Sequence, residues 1–161
     1  MLEELKAQTG GIYYVEFLRK KGIISDEQAK QTYVDGIVWA FGHISRGMYA
    51  SDGTPRNYSQ LAAIQVGSFL QSGGLSWNAA SAAANGSDKG CLEIDFARLP
   101  AAVEALERNV LQIKARGDKA GAERLKAQFV DAQDSFAAVK ASITERWLRA
   151  PKATFVYSLL F

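Results

Sequence analysis

The chain has 161 residues, of which 48% are hydrophobic and 22% charged, a balance typical of one globular domain rather than a disordered segment. A net charge of +2, with basic and acidic residues mixed along the chain, does not favour binding to nucleic acid or to an anionic membrane. The single cysteine, Cys91, excludes an internal disulfide and a cysteine-based zinc cluster. The sequence has no run of about 18 apolar residues and no signal peptide, so we expect a cytoplasmic protein.

A first helix is predicted over residues 2–21. Apolar residues at helical spacing mark one face, and the second half is apolar around most of its circumference. Gly10 and Gly11 lie inside this helix, at a cost of about 1 kcal/mol each relative to alanine. Glycine at these positions indicates that another backbone or a ligand site approaches closely.

A capping box, Ser25 with Gln28 three residues later, predicts the start of a second helix. Apolar residues on all sides of this segment predict that it is the central, buried helix of the fold. A third helix is predicted over residues 55–72 and ends at Gly73-Gly74. The residues expected to face inward from the third helix are Tyr58, Leu61, Ile64, Ser68 and Phe69.

A long-looped β-hairpin is predicted over residues 75–96, because residues 92–96 alternate strictly between apolar and polar. Its expected turn is Asn85-Gly86. Pro100 is typical of the first turn of a helix, and Gly117-Asp118 predicts its end and the cap of a short helix. A last amphipathic helix is predicted over residues 135–149. The fourth helix should bury an apolar seam of Leu99, Val103, Leu106, Val110 and Ile113.

These elements predict a mainly α fold, a multi-helix bundle with one small β-hairpin. Residues 1–161 form a single helical domain, with the hairpin as an insertion at about 75–96, and we expect it to be the C-terminal fragment of a larger protein. The apolar tail, residues 154–161, should dock on the body of the domain or on an absent partner. Apolar surface left by a missing partner also predicts a possible homodimer through the first helix and the tail.

The residues that carry chemistry are few. His43 is the single histidine and lies among apolar neighbours, which favours a core or interface role over catalysis. Cys91 is best explained as a buried, inert thiol. The glycines form no phosphate-binding loop, and the pairs Glu104/Glu107 and Glu93/Asp95 are typical of solvated faces. From its residues alone, the chain has no self-contained active site.

Two adjacent carboxylates, Glu3 and Glu4, open the first helix. Acidic residues there are commonly explained by the helix dipole, which they stabilise by roughly 0.3–1 kcal/mol. The stretch also resembles the second zinc motif of the dipeptidyl peptidase III family of metallopeptidases, in which a helix with the pattern E-E-x-R-A-E supplies a glutamate to zinc. The matching residues in this chain are Glu3-Glu4-Leu5-Lys6-Ala7-Gln8.

The resemblance extends to residues 33–41, 58–73 and 106–121, so that nearly the whole chain can be aligned with the C-terminal portion of that family. It implies that Glu4 is a zinc ligand. Gln8 and Glu3 would orient this ligand without binding the metal themselves. Tyr58 would belong to the wall of the substrate site. The fold would then be the α-rich part of a metallopeptidase catalytic lobe, with zinc bound only in the full-length parent and a peptide as its substrate.

The sequence departs from that family at several positions. Lys6 replaces an arginine, Gln8 replaces a glutamate, and no H-E-x-x-G-H motif is present to supply two histidine ligands. A missing N-terminal part would have to carry these histidines, because a catalytic zinc normally takes three protein ligands. The resemblance therefore predicts part of a zinc exopeptidase that is inactive alone. The alternative is a non-enzymatic helical interaction module on the same scaffold.

Overall fold

The computed structural model describes residues 1–150 and confirms the mainly α architecture with one hairpin. The predicted docking of the tail lies outside these residues. Within them, six α-helices, one π-helical turn and one antiparallel pair of strands follow each other as α1 (Leu2–Lys20), α2 (Asp26–Ile44), α3 (Asn57–Gln71), β1 (Leu75–Ala82), β2 (Lys89–Ile94), α4 (Leu99–Arg116), α5 (Lys119–Leu125), the π-helical turn Lys126–Val130 and α6 (Ser135–Arg149).

The capping box at the start of α2 is confirmed. The Ser25 hydroxyl accepts a hydrogen bond from the backbone N–H of Gln28 at 3.1 Å, and the Ser25 backbone N–H donates to the Gln28 side chain at 2.8 Å. Two N–H groups at the helix start thereby gain partners. This cap fixes where the chain turns from α1 into α2.

The central helix is α3, and the prediction that α2 is central is wrong. Every residue of α3 from Ser59 to Phe69 is buried, whereas Val34 and Val38 of α2 are 39% and 45% exposed. The α3 segment Asn57–Gln71 contains no charged residue, so it can be buried on all sides without stranding a charge. A Cβ at Gly67 would collide with the rings of Phe129 and Phe136, so glycine there allows the later elements to pack closely.

The strands β1 and β2 pair with Leu75 opposite Ile94, and the second strand ends earlier than predicted. Asp95 accepts hydrogen bonds from the backbone N–H groups of Ala97 (2.9 Å) and Arg98 (3.1 Å), which turns the chain into α4. Phe96, expected in the strand, is therefore half-exposed beside α4. This turn brings Phe96 close to α2, where Lys30 lies over its ring.

The α4 seam is buried as predicted, and Gly117 ends the helix in the left-handed conformation at φ 62°. The π-helical turn after α5 was not predicted. The Nζ atom of Lys140 donates to the carbonyl oxygens of Phe129 (3.0 Å) and Val130 (2.7 Å), which satisfies the end of that turn. The helix α6 spans residues 135–149 as predicted, although Trp147 near its end is partly exposed.

Candidate functional site

The predicted zinc-site residues lie on the first two turns of α1. The Glu4 carboxylate forms an ion pair with the Met1 amino group at 3.0 Å. Its own backbone N–H, and then that amino group, lower the pKa of Glu4. Glu3 pairs with Lys6 at 2.7 Å and with Lys114 of α4. Glu3 therefore has two cationic partners among the described side chains.

The residues present do not make a zinc site. Among residues 1–150, no group of three or more His, Cys, Asp or Glu side chains lies close enough to hold a metal ion. Glu4 alone supplies one ligand, whereas a protein zinc site normally takes three or four. The supporting roles of Gln8 and Glu3 depend on the same ligand set, and they stay predictions.

Tyr58 was expected to face inward, and this is wrong: its side chain is 52% exposed at the start of α3. Its ring lies 5.5 Å from that of His43 and 6.3 Å from that of Trp39, so three aromatic side chains cluster at the α2–α3 edge. Burial, and then the charge of Arg46, lower the pKa of His43. The imidazole is therefore neutral at pH 7, and a role of Tyr58 in a substrate wall stays a prediction.

Two surface depressions beside α1 bring together residues that the motifs did not single out. The first, here called the Tyr33 groove, has a volume of about 670 Å³ and lies between α1, α2 and the start of α4. Its walls combine aromatic rings with charged side chains. Residues that line it include Tyr13, Phe17, Arg19, Lys30, Tyr33 and Phe96.

The hydroxyl of Tyr33 is the unusual group in this groove. Tyr33 is only 4% exposed, and its hydroxyl has no hydrogen-bond partner among the described residues. Burial, and then the negative charge of Glu16, raise the pKa of Tyr33 to about 12. The hydroxyl therefore stays protonated and can donate a hydrogen bond to an acceptor oxygen of a ligand.

The charges around the Tyr33 groove are mostly paired within the chain. Arg19 donates to Glu16 at 2.8 Å and to Asp26 at 2.8 Å, which joins α1 to the start of α2. Lys30 instead lies 5.9 Å from the centre of the Phe96 ring. The groove thus offers an aromatic wall, one buried donor and little uncompensated charge.

The second depression, here called the Glu107 pocket, has a volume of about 520 Å³ and lies between α1 and α4. It continues from the Tyr33 groove, because Tyr13 and Glu104 line both. Tyr13, Tyr14 and Phe17 are exposed and contact one another edge to face, with ring centres 6.0 and 6.3 Å apart. Such a contiguous exposed aromatic surface is typical of a binding site.

Glu107 lies in the wall of this pocket and is only 8% exposed. Its Oε2 atom has no hydrogen-bond partner among the described residues. Burial raises the pKa of Glu107, and the positive charge of Lys6 offsets part of that rise. A Cβ at position 10 would lie 3.4 Å from Oε1, so Gly10 leaves room for the carboxylate between the helices.

The sequence missed both groups. Tyr33 follows the apolar spacing of α2 and was interpreted as a core residue, while Glu107 was assigned to a solvated face, which is wrong. The close approach of another backbone, expected at Gly10, is not observed: the neighbour is the Glu107 side chain, whose Oε1 lies 3.4 Å from the Cβ position. For Gly11 that expectation is wrong, since nothing lies within 4 Å of the position of its Cβ.

Cys91 lies in a third depression of about 460 Å³, formed by α2, the hairpin and α6. Its thiol belongs to a half-buried residue, less enclosed than the prediction of a buried thiol required. The walls are largely apolar and include Trp77 and Trp147. We find no nucleophile–base pair here among the described residues.

Comparison with known proteins found a similarity to another class of enzyme. The chain is 27% identical over 124 residues to Nudix hydrolase 3 of Arabidopsis thaliana. The match covers 77% of this chain but only 14% of the plant protein. No family model matches the chain. No solved structure matches it either.

These comparisons contradict the resemblance to the dipeptidyl peptidase III family. The relative carries the name of a Nudix hydrolase, and no peptidase family model matches. The interpretation as a zinc metallopeptidase fragment is therefore wrong, and the interaction module on that scaffold is no better supported. The broader term hydrolase agrees with the relative's name.

Within residues 1–150, each helix is too short or too polar for a bilayer span. The expected cytoplasmic compartment stays a prediction.

Proposed function

We propose that this chain is a binding domain of a larger hydrolase, and that the Tyr33 groove and the Glu107 pocket hold a polypeptide segment from another part of that protein. The similarity to Nudix hydrolase 3 supports the first half of the proposal, because the chain spans only 14% of that relative. The hydrolytic chemistry would then be supplied by other parts of the protein.

One observation carries the second half of the proposal: Tyr33 lines a groove and has a buried hydroxyl without a partner among the described residues. A buried polar group without a partner costs about 1–3 kcal/mol. A backbone carbonyl of a docked segment would accept the hydrogen bond that Tyr33 can donate and so remove this cost. The aromatic rings of Tyr13, Phe17 and Phe96 would cover the apolar side chains of the segment.

Site-directed photo-crosslinking in the natural, full-length protein tests this proposal. Ala101 is exposed and lines the Tyr33 groove, so it can be replaced by p-benzoylphenylalanine without touching the core. We expect a crosslink within the same polypeptide, mapped by mass spectrometry to a segment outside these 161 residues. The same replacement at Ala127, exposed on the π-helical turn, is the matched control and should give no such crosslink.

Three results would contradict the proposal. One is a natural protein with a mass near 17.5 kDa, since no other part would then exist to dock. Another is a crosslink from Ala101 to a second copy of the chain, which would favour the predicted homodimer instead. The third is equal crosslinking from Ala101 and Ala127.

A further inference from the structure

The Glu107 pocket has a chemical character that the Tyr33 groove lacks. Its wall contains a carboxylate from which water is largely excluded and whose Oε2 atom has no partner among the described residues. Burying an unpaired carboxylate is costly, so the group either binds a proton or gains a cation. A cationic hydrogen-bond donor would therefore give this carboxylate the partner that it lacks.

The charged neighbours of Glu107 are occupied elsewhere. Lys6 of α1 is near enough to lower the pKa of Glu107, but its Nζ atom donates to Glu3 at 2.7 Å. Arg108, on the rim of the pocket, donates to Glu104 at 2.5 Å. Both neighbouring cations are therefore paired with other carboxylates, so a cation from another segment could pair with Glu107.

The remaining walls fit a long basic side chain. Tyr13 and Tyr14 are exposed rings on one side, and Leu111 is an exposed apolar side chain on the other. Aromatic rings attract a guanidinium or ammonium group, and an aliphatic wall covers the methylene stem of lysine or arginine. A metal ion fits less well, since the two carboxylates of the pocket are fewer than the usual three ligands and Glu104 is already paired with Arg108.

We propose that the Glu107 pocket receives a lysine or arginine side chain of the docked segment, with Glu107 as its ion-pair partner. This inference rests on the proposed function, because the pocket continues from the Tyr33 groove. It assigns to Glu107 a role in selecting the segment: a neutral side chain at that place would leave the carboxylate buried and unpaired.

Nuclear magnetic resonance on the isotope-labelled chain tests the inference with N-acetyl-arginine amide as the probe. We expect amide shifts centred on Gly10 and Leu111, and a fall in the pKa of the Glu107 carboxyl when the probe is bound. N-acetyl-citrulline amide has nearly the same shape without the charge, and we expect it to bind roughly fivefold or more weakly. N-acetyl-lysine amide should bind at the same place.

Two variants distinguish binding at Glu107 from a general effect of negative surface charge. Glu107→Gln keeps the shape of the side chain and should abolish selectivity for arginine over citrulline. Glu104→Gln removes an exposed carboxylate on the same rim and should leave that selectivity within about twofold. Spectra of both variants before probe is added establish that they remain folded.

The inference is overturned if citrulline amide binds as well as arginine amide, if Glu107→Gln keeps the selectivity, or if the shifts spread over all acidic residues. Absence of any shift at about 100 mM probe would also overturn it. Its failure is distinguishable from failure of the proposed function. A crosslink from Ala101 without arginine selectivity contradicts only the inference, whereas arginine selectivity without a crosslink contradicts only docking within a larger protein.

Discussion

Glu107 and Tyr33 are two residues whose chemistry opposes the stability of the domain. Each places a polar group in a buried position without a partner among the described residues. Natural domains satisfy most buried polar groups, and exceptions occur mainly where function requires them. Tyr33 stays protonated at neutral pH, so its cost does not vary there, whereas Glu107 is a carboxyl whose charge depends on pH.

The contribution of Glu107 to the stability of the domain should therefore fall as pH rises through its titration. Burial raises the folded-state pKa of Glu107 above its ordinary value of 4.5, so the folded state binds more protons than the unfolded state in that range. This contribution is fully present below the unfolded pKa and is lost as pH rises through the folded pKa. Lys6 acts in the opposite direction but does not cancel the effect.

The variant Glu107→Gln isolates this effect, because it removes the titrating charge. At pH 7 we expect it to be more stable than the natural chain by about 1 kcal/mol, a rise in Tm of roughly 2–4 °C for a chain of this size. Thermal unfolding at several values between pH 4 and pH 7 should show the difference growing with pH. A difference that shrinks with pH, or an equal one for Glu104→Gln, would contradict the assignment.

The buried position of Glu107 could not be predicted from the α4 sequence alone. The apolar seam of α4 was correctly predicted from its spacing, and Glu107 follows Leu106 immediately, near the edge of that seam. Whether such an edge residue is buried depends on how closely the facing helix approaches. The facing residue is Gly10, about a hundred positions earlier in the chain, whose Cβ position lies 3.4 Å from Oε1 of Glu107.

The hairpin is attached to α6 mainly through Arg146. Its guanidinium donates to the carbonyl oxygens of Lys89 and Gly90, both at 2.6 Å, and lies 5.7 Å from the centre of the Trp77 ring. Sequence periodicity predicted both elements but not this contact, because an arginine near a helix end is usually explained by the helix dipole. The contact depends on how α6 packs against the hairpin, and these two elements are distant in sequence.

We expect Arg146→Ala to destabilise the domain by about 2 kcal/mol, since it removes two charge-assisted hydrogen bonds and a ring contact. The matched control is Arg149→Ala, one turn later, whose half-exposed side chain pairs with the partly buried Asp88 at 2.7 Å and with the exposed Glu145 at 3.0 Å. That change should cost less than about 0.5 kcal/mol. Urea unfolding of both variants measures the difference, and equal losses would contradict the special role of Arg146.

The π-helical turn could not be predicted from the sequence. Periodicity predicts buried Leu125 and Phe129, and both are buried, but it does not distinguish an α-helical from a π-helical continuation. The choice is supported from outside the segment by Lys140, whose ammonium binds the carbonyl oxygens at its end. Burial lowers the pKa of Lys140, which is consistent with its enclosed position.

For the whole molecule, composition and spacing predicted the class of fold and nearly every helix boundary, but not the arrangement. The α2 segment looked central because apolar residues surround it, yet part of that surface is exposed. The α3 segment contains Gln60 and Gln65, and spacing alone does not predict that both are buried. Gln65 donates to Thr9 of α1 at 3.0 Å, and Gln60 donates to the Met48 carbonyl at 3.1 Å.

The family prediction failed for a related reason. Its principal motif had six residues at the start of a helix, where acidic residues are generally favourable. The structure places Glu3 beside the cations Lys6 and Lys114. That arrangement is what a stable helix start and its packing against α4 require, so the motif carried little information about chemistry.

The burial of α3 has a consequence for the exchange of its backbone amides with solvent deuterium. Since the residues from Ser59 to Phe69 are enclosed, their hydrogen bonds can open only when neighbouring helices leave, so we expect them to be the slowest-exchanging amides of the chain. Hydrogen-exchange mass spectrometry tests this expectation, and faster exchange in α3 than in α4 would contradict it. If these amides report global unfolding, a ligand bound in the Glu107 pocket, whose lining includes no α3 residue, would slow them in proportion to its occupancy. The exchange rate of the buried α3 amides would then report how much ligand is bound in the Glu107 pocket.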